Sequence, residues 1–490
     1  MPVGSTQMGK TLDKNILVIS DLHLGEDLRP GGANVSYLRH LVALERELEK
    51  FLVHYTATRL GDRPWRLVVN GDMVDFMSVM ILPEDAHIHD DDDEDRLYGL
   101  GFSERQSQKK MERVIARHQG VFKRLGEFVA AGNELVIVVG NHDVEFHYPQ
   151  VQRTLVEWLS GLTLGIGADD GAREAFAQRI EFCPWFYYKE DLIYIEHGHQ
   201  YDEYCSFDYL LHPVHPVGIN QVGQVNHPPI NKKSRIALSV AHAGMRYFAN
   251  QIPDYDPHNA EHWGFSDYMK WAWAQGLRGC VRLAYFYGLL VWRLVELWYS
   301  LRGVETERRL LHHERLLALS AHWKMSEEKL LALDKLRREP VTRRFWKLLA
   351  ALFIDRMLLG IAALVTAGVL VGQLHGLWKA VGALATLVAF ACINQAMNHV
   401  RLESSATKLR ATTSLIQSLV CAPLIVFGHS HTPEIVQLKG GATYFNTGTW
   451  ASDDAKLAFT HLMVISDENG APKAELKQWR DGASAPYSLT

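Results

Sequence analysis

Cysteine is scarce in this chain. Only Cys183, Cys205, Cys280, Cys392 and Cys421 occur, scattered, odd in number and without a C-x-x-C pair. That excludes a disulfide framework and a zinc knuckle and fits a reducing compartment. A strong charge of one sign is also missing. The formal net charge of -5 argues against a general nucleic-acid binder. No repeat of 20–50 residues, no P-loop and no G-x-S-x-G is present, which removes solenoids, P-loop nucleotidases and nucleophile-elbow hydrolases. The first residues, "MPVGSTQMGKTLDKN", lack the apolar core of a signal peptide, so a cytoplasmic start is expected. Apolar residues are plentiful: 490 residues at 47% hydrophobic content suffice for two or more domains with sizeable cores.

Charge is divided unevenly along the chain. Residues 205–419 carry roughly +10 and the remainder roughly −15, counting Lys and Arg against Asp and Glu.

Five short apolar runs each end in Asp, Asn or His. "NILVISDLHLGE" delivers Asp21 and His23, and "WRLVVNGDMVDF" delivers Gly71, Asp72 and Asp75. "ELVIVVGNHDVEF" ends in Gly140, Asn141, His142 and Asp143, "DLIYIEHGHQYD" in His197, Gly198 and His199, and "LIVFGHSHTPE" in His429 and His431. Short apolar runs of this kind read as buried strands. Open α/β sheets place their sites at the carboxyl ends of strands, so all five clusters can meet along one sheet edge. Taken singly, each cluster is ordinary turn chemistry. Together and in this order they form a strong signal.

The donor chemistry is coherent. Carboxylate, amide oxygen and imidazole without thiolate suit manganese, iron(II) or zinc. Seven candidate ligands are too many for one ion and about right for two ions sharing a carboxylate. Between two such cations, water is deprotonated near neutral pH and phosphoryl charge is neutralised as it develops.

These motifs, D-L-H (21–23), G-D-M-V-D (71–75), G-N-H-D (140–143), H-G-H (197–199) and G-H-S-H (428–431), resemble those of the calcineurin-like metallophosphoesterases. The resemblance covers about residues 14–204 and 420–482 and includes "YFNTGTW" (444–450), similar to the strand after the last motif. It implies an α/β fold, a two-sheet β-sandwich flanked by helices. It also implies that Asp21, His23 and His431 hold one metal and Asn141, His197 and His429 a second, with Asp72 bridging. His142, oriented by Asp143, would face the phosphate or leaving group, and His199 and Tyr201 would contact substrate. His429 and His431 can serve different ions only from a loop, because alternate residues of a strand share a face.

The expected organisation is a catalytic domain in two parts, residues 1–204 and 420–490, interrupted by a helical insertion at 205–419. "HPVHPVGINQVGQVNHPPINKK" (212–233) reads as a rigid loop, with His212, His215 and His227 as weaker ligand candidates. Residues 267–300, rich in aromatics with Arg278, Arg282 and Arg293, suit either a membrane interface or a helix packed on the core. Residues 305–339 read as an amphipathic helix or hairpin. The acidic run "HIHDDDDEDR" (87–96) reads as a solvated loop.

The stretch 357–393 holds two apolar runs around "QLHGLWK". Extended by 345–356 and by "NQAMNHV", each approaches the roughly 20 residues of a membrane span. Gly360, Ala362, Ala363, Gly368, Gly382, Ala383 and Ala385 would permit close helix contact. Candidate ligands lie on both sides of the insertion, so an even number of crossings is required. Arg343, Arg344, Lys347, Arg356, Arg401, Lys408 and Arg410 flank the hairpin, against Lys379 alone at its tip, which puts the catalytic domain on the cytoplasmic face of the plasma or inner membrane.

A helical insertion at this position resembles the lid of the UDP-2,3-diacylglucosamine hydrolases. This chain departs from them at His142, where they carry Arg, at His199, where they carry Asp, and in the larger insertion. The expectation is a metal-dependent phosphoesterase with two divalent ions, acting on a phosphorylated small-molecule or lipid-linked substrate at a membrane. Alternatives are a cytosolic nucleotide phosphodiesterase that uses the hairpin to form a homo-oligomer, and a membrane-tethered metal-binding scaffold without catalysis.

Overall fold

A computed structural model describes residues 12–29, 35–88, 93–165, 167–215, 235–252, 255, 265–300, 305–401, 404–452, 454–466 and 471–488. The chain begins with a parallel unit of β1 (Asn15–Ile19), β2 (Trp65–Asn70), β3 (Glu134–Val138) and β4 (Ile180–Cys183). An antiparallel pair follows, β5 (Phe186–Lys189) and β6 (Ile193–Glu196), then a two-residue ribbon of β7 (Val214–His215) and β8 (Arg235–Ile236). After the helical region come β9 (Leu424–Phe427), β10 (Glu434–Gln437), β11 (Thr443–Asn446), β12 (Thr460–Ser466), β13 (Pro472–Arg480) and β14 (Ala483–Pro486). The first sheet runs β14-β13-β12-β1-β2-β3-β4 and the second β10-β11-β9-β6-β5. Each sheet therefore draws strands from both ends of the chain, which closes the two parts into one domain.

Alternation along the strands shows why the sheets stack. Ile16, Val18, Val68, Val136 and Val138 of the first sheet meet Ile193, Ile195, Val426 and Phe445 of the second in one buried cluster. The opposite faces, Leu17, Ile19, Leu67, Val69, Leu135 and Ile137, pack with Phe51, Met111, Phe122, Phe128 and Leu155 of the flanking helices. Tyr194, Ile425 and Phe427 on the outer face of the second sheet pack with Leu316, Leu330, Leu333, Leu409 and Ile416. The result is an α/β architecture of two facing sheets with helices outside both. The layer over the second sheet is built from the expected insertion, including the helix Ser405–Val420 up to its last residue.

The structure differs from the sequence pattern in two places. Residues 267–300 form two helices, Phe265–Ala274 and Gly276–Ser300, broken where Gly276 takes φ 69°. One stripe of the second (Leu290, Leu294) packs with Tyr247, Val341, Leu348 and Leu352, while Trp273, Leu277, Val281, Tyr285, Trp292 and Tyr299 are exposed. The acidic run is not simply a solvated loop. Its described end begins the helix Asp93–Tyr98, where Asp95 is buried and accepts from Gln106 Nε2 at 2.5 Å and Arg246 Nη2 at 3.3 Å. A buried carboxylate needs such partners, and the insertion supplies one of them. Residues 305–339 do form a hairpin of helices, Glu305–Trp323 and Glu327–Asp334.

Two further helices, Ile354–Gln373 and Leu377–Arg401, are long and apolar enough to cross a membrane, the second over Leu377–Met397. They are almost wholly unburied. They lean on each other: a Cβ at Gly382 would lie 2.9 Å from Leu374 Cδ1, whereas one at Gly368 would meet nothing within 4 Å. Arg356 at the base donates to Asn394 Oδ1 at 2.6 Å and ties the two helices together.

Candidate metal centre

The carboxyl ends of β1, β2, β3, β6 and β9 all open on one edge, and their loops carry the five motifs. Backbone bonds fix how they meet. Leu22 N and His23 N both donate to Asp72 O, at 2.9 and 3.0 Å, and Gly428 N donates to His197 O at 3.1 Å. Gly71 has φ 80°, and a Cβ there would lie 2.3 Å from His197 Nδ1, so only glycine lets the imidazole in.

Asp21, His23, Asp72, His429 and His431 all have positive φ, between 47° and 65°. Side chains seldom adopt this conformation, and such strain concentrates at functional sites. It answers how His429 and His431 diverge. Two left-handed residues, with Ser430 between them, aim the two imidazoles at different partners.

His431 joins Asp21 and His23, while His429 joins Asp72 and His197, with the ligand atoms of each group within 4.8 Å of one another. A further group of the same kind, His23, Asp72 and His142, makes Asp72 the link between the two. His431 Nε2 lies 3.2 Å from both His23 Nε2 and Asp21 Oδ1. His197 Nε2 lies 3.1 Å from Asp72 Oδ2 and 3.2 Å from Asn141 Oδ1. All seven expected ligands therefore converge on one edge, as two groups joined by Asp72.

The donor set fits metal ions. His197 Nδ1 sits 2.9 Å from Asn70 O and donates to it, while Nε2 faces the acceptor oxygens of Asp72 and Asn141 and holds a second proton there. Against the cost of burial, the Asp72 and Asp21 carboxylates push His197 up to about 10. A cation binding there would displace that proton. Among the described residues His429 Nε2 is buried without a hydrogen-bond partner, with Asp202 Oδ2 3.7 Å away. A fourth group, Asp202, Cys205 and His429, also satisfies the spacing. There Lys408 Nζ already lies 3.1 Å from Asp202 Oδ1, and Ser405 Oγ donates to Oδ2 at 2.7 Å.

His142 is oriented differently from expectation. Its Nδ1 is 3.0 Å from Asp75 Oδ1, not from Asp143. Asp143 instead accepts from Met73 N and Gly140 N, both at 2.7 Å, and so braces the two loops. Burial opposes ionisation of Asp75, yet the His142 imidazole holds its carboxyl well below the usual carboxylate range. Ser78 supplies the remaining bonds, N at 3.0 Å and Oγ at 2.6 Å. Burial and the Asp72 carboxylate push Asp143 up to about 7.

Tyr201 does not reach the site. It is 1% exposed, its hydroxyl donates to Glu196 Oε2 at 2.9 Å, and its ring packs on Phe427. His199 is also buried, its ring 5.5 Å from His197 and 5.9 Å from Phe207, behind the ligands. Gly198, at φ 103°, turns the chain so that both side chains point inward. His212 is buried away from the centre, and His227 lies outside the described residues, as does the side chain of His215.

Two contributors carried no role in the sequence reading. Asp75 was visible in G-D-M-V-D. Asp202, next after "HGHQY", had no signal beyond its place there. The last motif is held by "YFNTGTW": Asn446 Nδ2 donates to Gly428 O at 2.8 Å and Thr449 Oγ1 to Asp21 O at 2.9 Å. The side chains of His431 and His142 are 28% and 16% exposed, against 8% for His429 and none for His197, so the centre opens to solvent on the side of His142 and His431. Compared with protein-family models, curated proteins and solved structures, the chain matches none.

Proposed function

We propose that this chain is a metal-dependent phosphoesterase that hydrolyses a phosphate ester or pyrophosphate of a membrane-proximal substrate, built on a metallophosphoesterase-like sandwich. The observation that carries this reading is the convergence of two His/Asp groups on a shared Asp72, with the His142–Asp75 pair beside them on the open side. Asp21, His23 and His431 would hold one divalent ion and Asn141, His197 and His429 the other, with Asp72 between. When bound, such ions supply a deprotonated water near neutral pH and neutralise phosphoryl charge.

The chain's own residues do the rest. Asp75 fixes Nδ1 of His142, so the opposite edge of the ring, Nε2, is the one that holds a proton for a leaving oxygen. The negative Asp75 stabilises the ring while that proton is in place. A metal-storing scaffold has no use for such a pair, which favours catalysis over the scaffold alternative.

The apolar hairpin supports a membrane setting. Its apolar spans are each about 30 Å long, enter and leave on one side, and expose Leu364, Val365, Leu384 and Leu387, with no covering layer among the described residues. Trp346 near the base and Trp378 at the tip are exposed aromatics at the two ends, as in an interfacial belt. The basic flanks favour the cytoplasmic face.

The test is phosphate and nucleotide release by detergent-solubilised protein with Mn²⁺. Substrates would be an aryl phosphate monoester, a diester and UDP-diacylglucosamine, each run beside His142→Ala. Metal-dependent turnover lost in His142→Ala supports the reading; no turnover on any of them, with both metals bound, overturns it.

A further inference from the structure

The helix Gly276–Ser300 carries two apolar stripes where a helix packed on a core needs one. Leu283, Leu290 and Leu294 form the inner stripe, buried in clusters with Met77, Ala249, Val341 and Leu348. Leu277, Val281, Tyr285, Trp292 and Tyr299 lie on the opposite side, within an arc of about 80° at 3.6 residues per turn. These five are between 62% and 83% exposed. Single exposed apolar side chains are ordinary, but an aligned row of them marks a contact surface.

The neighbours of the row say what covers it. Tyr287 Oη donates to Leu352 O at 2.5 Å, and the Tyr268 ring lies 5.7 Å from that of Phe353. Leu352 and Phe353 directly precede Ile354, where the first apolar span begins. Phe345 packs at 5.2 Å on Trp298, next to Tyr299, and Trp346 beside it is exposed. The row is therefore continuous with the base of the apolar hairpin. Its border is basic: Arg278 and Arg282 are exposed there, as is Lys347 next to Trp346. Glu296, the acidic residue of this helix, is engaged by Arg293 at 2.8 Å. Aromatic rings with cations beside them suit the boundary between acyl chains and anionic headgroups. The helix cannot itself cross a bilayer, because one side is packed on protein and Arg278, Arg282, Arg293 and Glu296 lie along it.

We propose that the outer face of the helix Gly276–Ser300 lies in the interfacial zone of a phospholipid bilayer, along its surface, beside the point where the hairpin enters. This rests on the membrane setting proposed above and adds a second contact to it. A hairpin alone leaves the catalytic domain free to swing about its tether, whereas a helix lying along the surface removes that freedom. The inner stripe carries the constraint toward the site, since Leu283 shares its buried cluster with Met77, two residues past Asp75.

The experiment uses full-length protein in nanodiscs of phosphatidylcholine with phosphatidylglycerol. The photo-crosslinker p-benzoylphenylalanine replaces one residue at a time: Val281, Tyr285 or Trp292 in the row, Leu364 in the hairpin, and Trp158, an exposed residue of the catalytic domain. Each variant is first matched to wild type in Tm, and the three row positions are independent, so one that misfolds leaves two. Mass spectrometry after illumination is expected to find phospholipid adducts at the row and at Leu364 and none at Trp158. Adducts at Leu364 without any in the row overturn the proposal and leave the membrane reading standing. Crosslinked pairs of chains from the row also overturn it, because a second copy then covers that face. Equal adducts at Trp158 and the row overturn it too, as contact without a preferred face. Adducts at no position overturn both the proposal and the membrane reading.

Discussion

Replacing Asp75 by Asn separates the proposed catalytic pair from the candidate metal ligands. The carboxylate is buried, 3.0 Å from His142 Nδ1, and held by Ser78, so Asn fits the same space while removing the charge. Proton transfer by a positioned side chain is worth about 10²–10⁴-fold, and a ring that has lost its orienting charge forfeits most of that. The loss depends on the leaving group. An alkyl phosphate needs a proton on its departing oxygen and should lose about 10²–10⁴-fold in kcat. A nitrophenyl phosphate leaves as a stable anion and should lose little. Both rates are measured beside metal content. Asp143→Asn is the control: it puts an NH2 donor in place of one of the two oxygens that accept from Met73 N and Gly140 N, so it should lower Tm and metal content together. An equal loss on both substrates by Asp75→Asn, or a leaving-group effect in Asp143→Asn instead, would refute the assignment of Asp75.

Asp72→Ala removes the residue shared by both His/Asp groups, so bound metal measured by mass spectrometry should fall for both sites, not one. Replacing residues 357–393 with a short Gly-Ser linker should move the protein from the membrane fraction to the soluble one and leave turnover of a small aryl phosphate within a few-fold. Glu145→Gln should raise Tm at pH 8 and leave it nearly unchanged at pH 5. Burial pushes Glu145 up to about 8 from 4.5, and both its oxygens are buried without hydrogen-bond partners among the described residues. The folded chain thus keeps a proton the unfolded chain releases, and stability present below pH 4.5 is lost as pH rises through 8. An equal Tm change at both pH values would count against that burden.

The ligands were legible because their chemistry is local: an apolar run, a turn and a donor side chain adjoin in sequence. What was not legible is which way each loop turns. Asp143 adjoins His142 and so looked like its partner, yet the pairing goes to Asp75, 67 residues away, because the G-N-H-D turn points Asp143 back at two backbone amides. Tyr201 follows a ligand by four residues and looked exposed to substrate. A single left-handed glycine sends it into the outer core instead. The sheet-forming runs were readable from strand periodicity. The buried Asp95 was not, because its partner Arg246 comes from the far side of an interruption whose fold no local pattern reports.

The backbone around the ligands links these points. Among the described residues thirteen non-glycines have positive φ, and five of them are candidate ligands, all Asp or His. Such a conformation costs of order 1–3 kcal/mol per residue, least for short polar side chains that bond locally. It persists only where neighbours over-determine it, and here they do: Asp72 O accepts from Leu22 and His23, Asp21 O from Thr449 and Trp450, and Asp72 Oδ1 from His142 N at 2.8 Å. The strain lets residues one apart serve different groups, which a relaxed strand cannot do. Since three of the bracing contacts come from β2, β3 and the segment after β11, the centre assembles only after both ends of the chain have entered the sheets. If the insertion enters a membrane as proposed, it must therefore return the chain to the side it left, which a hairpin achieves and a single span does not.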